Sequence, residues 1–135
     1  WLDQNNFEYA VNEQYEKEIF LKNIGNNSRT LVFDLSDLDN PTYDFDYFGP
    51  TLAIDHNGYV KGNEYFLANY RAGVRVLDIS QIASNTITEI GFFDTYPESD
   101  SANFNGVWNV YPYFTSGNII ISDIERGLFI IRKSN

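Results

Sequence analysis

Gly73-Val74-Arg75-Val76-Leu77-Asp78-Ile79-Ser80 is a short apolar run closed by Asp and Ser, and the chain repeats it. Thr30-Leu31-Val32-Phe33-Asp34-Leu35-Ser36 is a second copy, with Asp34 in the place of Asp78 and Ser36 in the place of Ser80. Gly127-Leu128-Phe129-Ile130-Ile131-Arg132 opens a third, with Arg132 where the Asp would fall. Asp34 and Asp78 lie 44 residues apart. Gly73 and Gly127 lie 54 apart, and the excess is the polar stretch from Asp94 to Asn105. In each copy the run is apolar at nearly every position. A strand with one wet face alternates, so a continuous apolar strand implies cover on both faces.

Working outward from these runs, turn residues separate further strand-like segments. Phe7 to Val11 alternates loosely. Gly25-Asn26-Asn27-Ser28 is a turn, and Thr42 to Phe48 returns after the turn at Asp37 to Pro41. Beyond Gly49-Pro50, short strands are expected at Tyr59 to Lys61, Glu64 to Tyr70, Gly73 to Ser80 and Thr86 to Phe93. The last part offers Gly106 to Tyr113, Asn118 to Ser122 and Gly127 to Arg132. No segment carries a helical period. Four short strands per unit and a period near 40–45 residues are the mark of β-propeller blades. The expected fold is therefore all-β: antiparallel four-stranded blades, about three of them, forming a propeller that is partial or closed by association. The units run roughly 1–49, 50–97 and 98–135 within one propeller-type segment.

The totals narrow the function classes. Eleven Phe, ten Tyr and two Trp in 135 residues suit packed sheets. A net charge of −10 with no basic stripe argues against nucleic acid and against an anionic membrane surface. No run of eighteen apolar residues is present, so no membrane insertion is expected. With no Cys there is neither a disulfide nor thiol chemistry. The chain opens on Trp1 rather than Met and reads as a piece of a longer or processed product.

Candidate chemistry is sparse. His56, in Asp55-His56-Asn57, is the one histidine and cannot make a multi-histidine zinc site. If the chain is an enzyme, a metal-assisted hydrolase or lyase at an axial mouth, its residues are His56, Asp55 and Asp123. A Ser-His-Asp set from Ser80 or Ser122 lacks a Gly-x-Ser-x-Gly elbow. The Asp-x-Ser pairs are expected to bond backbone N–H groups where their strands end. An EF-hand starting at Asp37 fails, since its sixth position is Thr42 and its twelfth Phe48. Asp44 and Asp46 alternate with aromatics, as on a solvated strand. The Asp94–Asn105 loop is the one insertion in the repeat. Asp94, Glu98 and Asp100, with Asp123 nearby, are candidate Ca²⁺ ligands, since hard oxygen donors suit that cation. The alternative is a hydrogen-bonded turn with Glu125 and Arg126 pairing locally. Trp108, Tyr111 and Tyr113 offer a sugar-stacking platform, though aromatics in such a strand are expected to fill the core between blades.

Several stretches resemble the C-terminal part of bacterial LVIVD-repeat proteins of the choice-of-anchor B type. They are Arg29 to Pro41, Asp55-His56-Asn57, Asn69-Tyr70-Arg71-Ala72-Gly73, Gly91-Phe92-Phe93-Asp94-Thr95-Tyr96-Pro97, Phe104-Asn105-Gly106 with Trp108, and Ser122 to Leu128, together with Trp1-Leu2. The resemblance implies a secreted or surface-attached propeller protein with further blades before this part, and names no reaction. Asn12 to Lys22, an acidic loop in such relatives, here carries Tyr15, Lys17 and Lys22. The function expected is a non-catalytic extracellular binding or scaffold module with a protein or glycan ligand. The last unit lacks a fourth strand, so Leu128-Phe129-Ile130-Ile131 is expected to keep an open edge. Missing N-terminal blades or self-association would cover it.

Overall fold

The computed structural model describes the backbone of Phe7–Glu8 and residues 27–134. The expectations for Trp1-Leu2, for the rest of the first strand, for Asn12 to Lys22 and for Gly25-Asn26 lie outside the described residues. The described residues form three antiparallel sheets. The first holds β1 (Phe7–Glu8), β2 (Arg29–Asp34) and β3 (Thr42–Phe48), in that order. The middle sheet holds β4 (Asn57–Lys61), β5 (Glu64–Ala68), β6 (Val74–Asp78) and β7 (Thr88–Phe93), each paired to the next. The third holds β8 (Val107–Tyr111), β9 (Asn118–Asp123) and β10 (Gly127–Arg132). The one departure from strand and turn among the described residues is a single 3₁₀ turn over Ile82–Ser84, ended by Asn85 in the left-handed region.

Period-two alternation explains how the sheets stack. In the middle sheet, Phe66, Ala68, Val74 and Val76 face the third sheet and pack with Val107, Val110, Ile119 and Ile121. Phe93, Phe129 and Ile131 close that cluster at its margin. The intervening Tyr65, Leu67 and Leu77 face the first sheet and pack with Val32, Phe45 and Tyr47. The near-continuous apolarity of β6 thus has the expected cause, sheets covering both its faces, whereas the equivalent run on β10 leaves Leu128 and Ile130 exposed. Arg75 sits within β6 with only 7% of its surface exposed. It is bonded to Glu89 at 3.3 Å and lies over the Phe92 ring.

The two Asp-x-Ser runs share backbone detail. Asp34 Oδ1 accepts the Ser36 N–H at 2.8 Å, and Asp78 Oδ1 accepts the Ser80 N–H at 2.8 Å. Arg132, at the third position, instead donates to Asn118 Oδ1. Each Asp also stands opposite a Thr, Asp34 across from Thr42 and Asp78 across from Thr88. The β2–β3 ladder slips between Val32 and Phe33; the β6–β7 ladder slips between Val76 and Leu77, the equivalent step. The extra residues are Asp44 and Ile90.

These bulges change which side chains share a face. By sequence Tyr43, Phe45 and Tyr47 lie on one side of β3. With Asp44 as the extra residue, Tyr43 turns outward against the Phe33 ring while Phe45 and Tyr47 face the middle sheet. The expected division of β3 into an aromatic and a solvated face therefore holds only beyond the bulge.

Candidate functional site

One end of the stack collects most of the chemistry. The chain enters β2, β4, β6, β8 and β10 there and leaves β3, β5, β7 and β9 there, so Ser28–Thr30, Asp55–Asn57, Asn69–Gly73, Asp94–Gly106 and Ile124–Arg126 are neighbours. The Asn69–Gly73 turn is the hub. Asn69 N–H donates to Gly73 O, Gly73 N–H donates to Tyr70 O, and Val107 N–H reaches the same Tyr70 oxygen at 2.9 Å. This holds Tyr70 at φ 36°, a conformation that costs a non-glycine residue energy. Gly106 has φ 86° and passes so close that a Cβ would stand 2.4 Å from Tyr70 O.

His56 is buried, 7% exposed, with its ring between Tyr70 and Trp108 at centroid distances of 4.8 and 4.4 Å. Its Nδ1 lies 2.6 Å from the Trp108 carbonyl. A carbonyl only accepts, so Nδ1 carries the hydrogen. Asn57 Nδ2 donates to the same oxygen. The Asp55 carboxylate points to other partners. It accepts Thr30 Oγ1–H at 2.5 Å and Asn69 Nδ2–H at 2.6 Å, which ties the first sheet to the middle one. Asp55 is only partly buried as a residue, but its carboxylate is enclosed. That desolvation pushes its pKa up, and the Thr30 and Ser28 hydroxyls pull it part of the way back. His56 thus braces the middle sheet against the third, and Asp55 braces it against the first. Asp123 is spent elsewhere: its Oδ1 accepts the Glu125 and Arg126 N–H groups at 2.9 and 2.7 Å. No hydrogen bond joins these three side chains into a relay.

The long loop is held just as closely. Asp94 Oδ1 accepts the Tyr96 N–H at 2.7 Å. Glu98 pairs with Arg126, whose other nitrogen donates to Thr95 O. Arg71 donates to Asn105 Oδ1 and Ser101 Oγ. Arg71 and Arg126 both lie over the Tyr96 ring, at 5.0 and 5.6 Å. Glu125 accepts from Asn105 Nδ2 and from the Gly106 N–H. Asp100 is exposed. Asp94, Glu98, Asp100 and Asp123 therefore do not converge, and no group of three or more His, Asp or Glu able to hold a metal forms among the described residues. Asp123 Oδ2 and Thr95 Oγ1 are buried without a hydrogen-bond partner among those residues. Arg126 turns outward to Glu98 and the loop, rather than pairing with Glu125 beside it. Sequence spacing offered no signal for Arg71 and Tyr96, since their partners come from three separate connections.

Beside this frame lie open rings on β8 and on the segment just after it. Trp108, Tyr111 and Tyr113 are exposed, Trp108 by 49%, and Phe114 extends the set. Core filling by these aromatics was expected; instead Val107, Val110 and Pro112 turn inward. The reason is a slip in the β8–β9 ladder between Val107 and Asn109 that leaves Trp108 as the extra residue. Tyr59 of β4 joins the set, 5.9 Å from Tyr113 and 6.4 Å from Tyr111. Tyr113 Oη donates to Val60 O, and Lys61 Nζ donates to Pro112 O.

No family model, curated protein or solved structure matches the chain. Among the described residues no helix is long and apolar enough to cross a membrane.

Proposed function

We propose that the chain is a non-catalytic extracellular binding module that presents an aromatic platform to a neutral glycan. The observation that carries this reading is the set Trp108, Tyr111 and Tyr113: three exposed rings on the edge strand β8 and the segment just after it, held by Tyr59, Lys61 and the Trp108 carbonyl's bonds to His56 and Asn57. Aromatic faces stack on the C–H faces of sugar rings, and a net charge of −10 favours an uncharged polymer over an acidic one. The polar groups nearby hold loops in place, which suits a scaffold rather than a catalyst. The architecture is read as part of a β-propeller. Its support is the recurring Asp turn, the matched bulges and the covered middle sheet. The resemblance to LVIVD-repeat proteins agrees with that reading and with a surface location.

Affinity electrophoresis through gels containing a neutral β-glucan or a mannan tests the platform. Retardation is expected, and Trp108→Ala together with Tyr111→Ala should abolish it while the melt stays cooperative. His56→Ala, by contrast, should lower the melting temperature through lost inter-sheet bracing. A turnover that disappears in a folded His56→Ala variant would establish the hydrolase reading instead.

A further inference from the structure

Asn57-Gly58 opens β4 and Asn105-Gly106 closes the long loop, so the chain carries the same dipeptide twice. An asparagine followed by glycine is chemically vulnerable, because no Cβ hinders the glycine nitrogen from approaching the carboxamide carbon. The fold treats the two sites differently. At Asn105 the partners fix the carboxamide orientation. Arg71 only donates, so its Nε and Nη2, at 3.1 and 2.6 Å, meet Oδ1. The Glu125 carboxylate only accepts, so its Oε1, at 2.6 Å, meets Nδ2. The second oxygen of that carboxylate accepts the Gly106 N–H at 2.8 Å. One carboxylate thus bridges the carboxamide nitrogen and the next peptide nitrogen, and sets the carboxamide beside that peptide. Ser101 and the Tyr96 ring hold the Arg71 guanidinium in place, and the Ile124 N–H holds the Gly106 carbonyl. At Asn57, by contrast, Nδ2 donates to the Trp108 carbonyl, which is no base, and Gly58 is paired with Leu67 in the β4–β5 ladder. Hydrogen bonds ordinarily protect an asparagine by keeping its side chain from the backbone. The partners of Asn105 are instead a base on the attacking N–H and a cation on the oxygen that would turn negative.

We propose that Asn105-Gly106 is a self-modifying site, at which Glu125 shuttles a proton and Arg71 stabilises an oxyanion. Glu125 Oε2 takes the Gly106 amide proton, and the nitrogen attacks Asn105 Cγ. The carbonyl electron pair moves onto Oδ1, against the Arg71 guanidinium. The Cγ–Nδ2 bond then breaks, and the proton held by Glu125 passes to Nδ2, which leaves as ammonia. The product is a cyclic imide spanning residues 105 and 106. One water opens it, at either carbonyl, to an aspartyl or an isoaspartyl residue. Water enters, ammonia leaves, and neither an oxidant nor a cofactor takes part. Either product replaces the amide that donates to Glu125 with a carboxylate beside it. Like charges then meet at the junction, which loosens the Asp94–Gly106 connection from the Ile124–Arg126 turn. The change runs one way, so it acts as a slow timer at this end of the stack. It is independent of the glycan reading.

Peptide mapping by mass spectrometry, on the chain incubated warm at neutral pH, tests it. Asn105 should gain the mass of an amide-to-acid conversion well before Asn57 does. A parallel incubation in denaturant, where both dipeptides lose their partners, should bring the two rates together and make Asn105 slower than in the folded chain. Glu125→Gln keeps the shape and removes the base. It should slow the folded Asn105 roughly a hundredfold, the lower end of what a positioned acid or base contributes. The comparison of folded with denatured wild type needs no variant, so it decides the matter even where Glu125→Gln fails to fold. An Asn105 that reacts more slowly folded than denatured overturns the inference, and makes Arg71 and Glu125 clamps that protect the amide. Equal rates in wild type and a folded Glu125→Gln variant overturn it as well, since the proton shuttle is then idle.

Discussion

Asp55 shows how a single carboxylate couples sheet packing to pH. Enclosure between Thr30 and Asn69 holds it above its ordinary value of 3.8. The folded state therefore binds this proton more tightly than the unfolded chain does. The stability it contributes is full below 3.8 and is lost as pH rises through the raised folded value. Asp55→Asn keeps an oxygen and an amide for the same neighbours and cannot ionise. Thermal melts across pH 4 to 7 should show wild type losing ground to the variant as pH rises. Parallel curves would mean that Asp55 ionises at no cost in the fold. Asp55 was legible in the sequence as part of the one histidine-bearing motif, but its role was not. Its partners Thr30 and Asn69 are 25 and 14 residues away, and no local pattern links them. The same holds for His56, whose hydrogen bond is to a backbone carbonyl 52 residues on.

At the scale of elements, the repeat of Gly73 and Gly127 ahead of β6 and β10 was plain in the sequence, and both have φ 79°. Their surroundings differ. A Cβ on Gly73 would stand 2.1 Å from the Phe93 carbonyl oxygen, whereas Gly127 has open space. Gly127→Ala should therefore cost only the left-handed conformation, about 1 kcal/mol. Gly73→Ala must also move the end of β7 and should cost about 3 kcal/mol. Chemical denaturation of the two variants measures the difference, and equal losses would mean that the β6–β7 pairing yields freely at that point. Strand positions were readable because apolar runs and turn residues mark them. The bulges were not, because an extra residue exists only relative to a partner strand. That is why Tyr43 faces solvent against its expected parity, and why Tyr111 turns outward although an unbroken alternation from Val107 would turn it in. The Asp94–Asn105 loop stood out by length, yet its anchors, Arg71, Glu125 and Arg126, come from other connections.

For the whole molecule, shape and charge pull association in opposite directions. Each copy carries −10, so two copies repel at long range. The Leu128, Ile130 and Ile120 face has Arg132 at its margin, whereas the Phe33 and Tyr43 face has Glu8 opposite Phe33 and the Arg29–Asp46 pair beside it. Raising ionic strength screens the repulsion and leaves apolar burial intact or strengthens it. Contact between copies through the Leu128–Ile130 face should thus tighten with salt. Between 0.05 and 0.5 M sodium chloride the Debye length falls from roughly 14 to 4 Å, which removes most of the repulsion between surfaces still apart. Sedimentation velocity at a fixed micromolar loading should show a larger associated fraction at the higher salt. Because only folded chains present that face, the melting temperature should rise with protein concentration by the same coupling. Weakening with salt would instead assign the contact to ion pairs such as those Arg29, Asp46 and Arg132 could form across copies, and would move the interface away from Leu128 and Ile130.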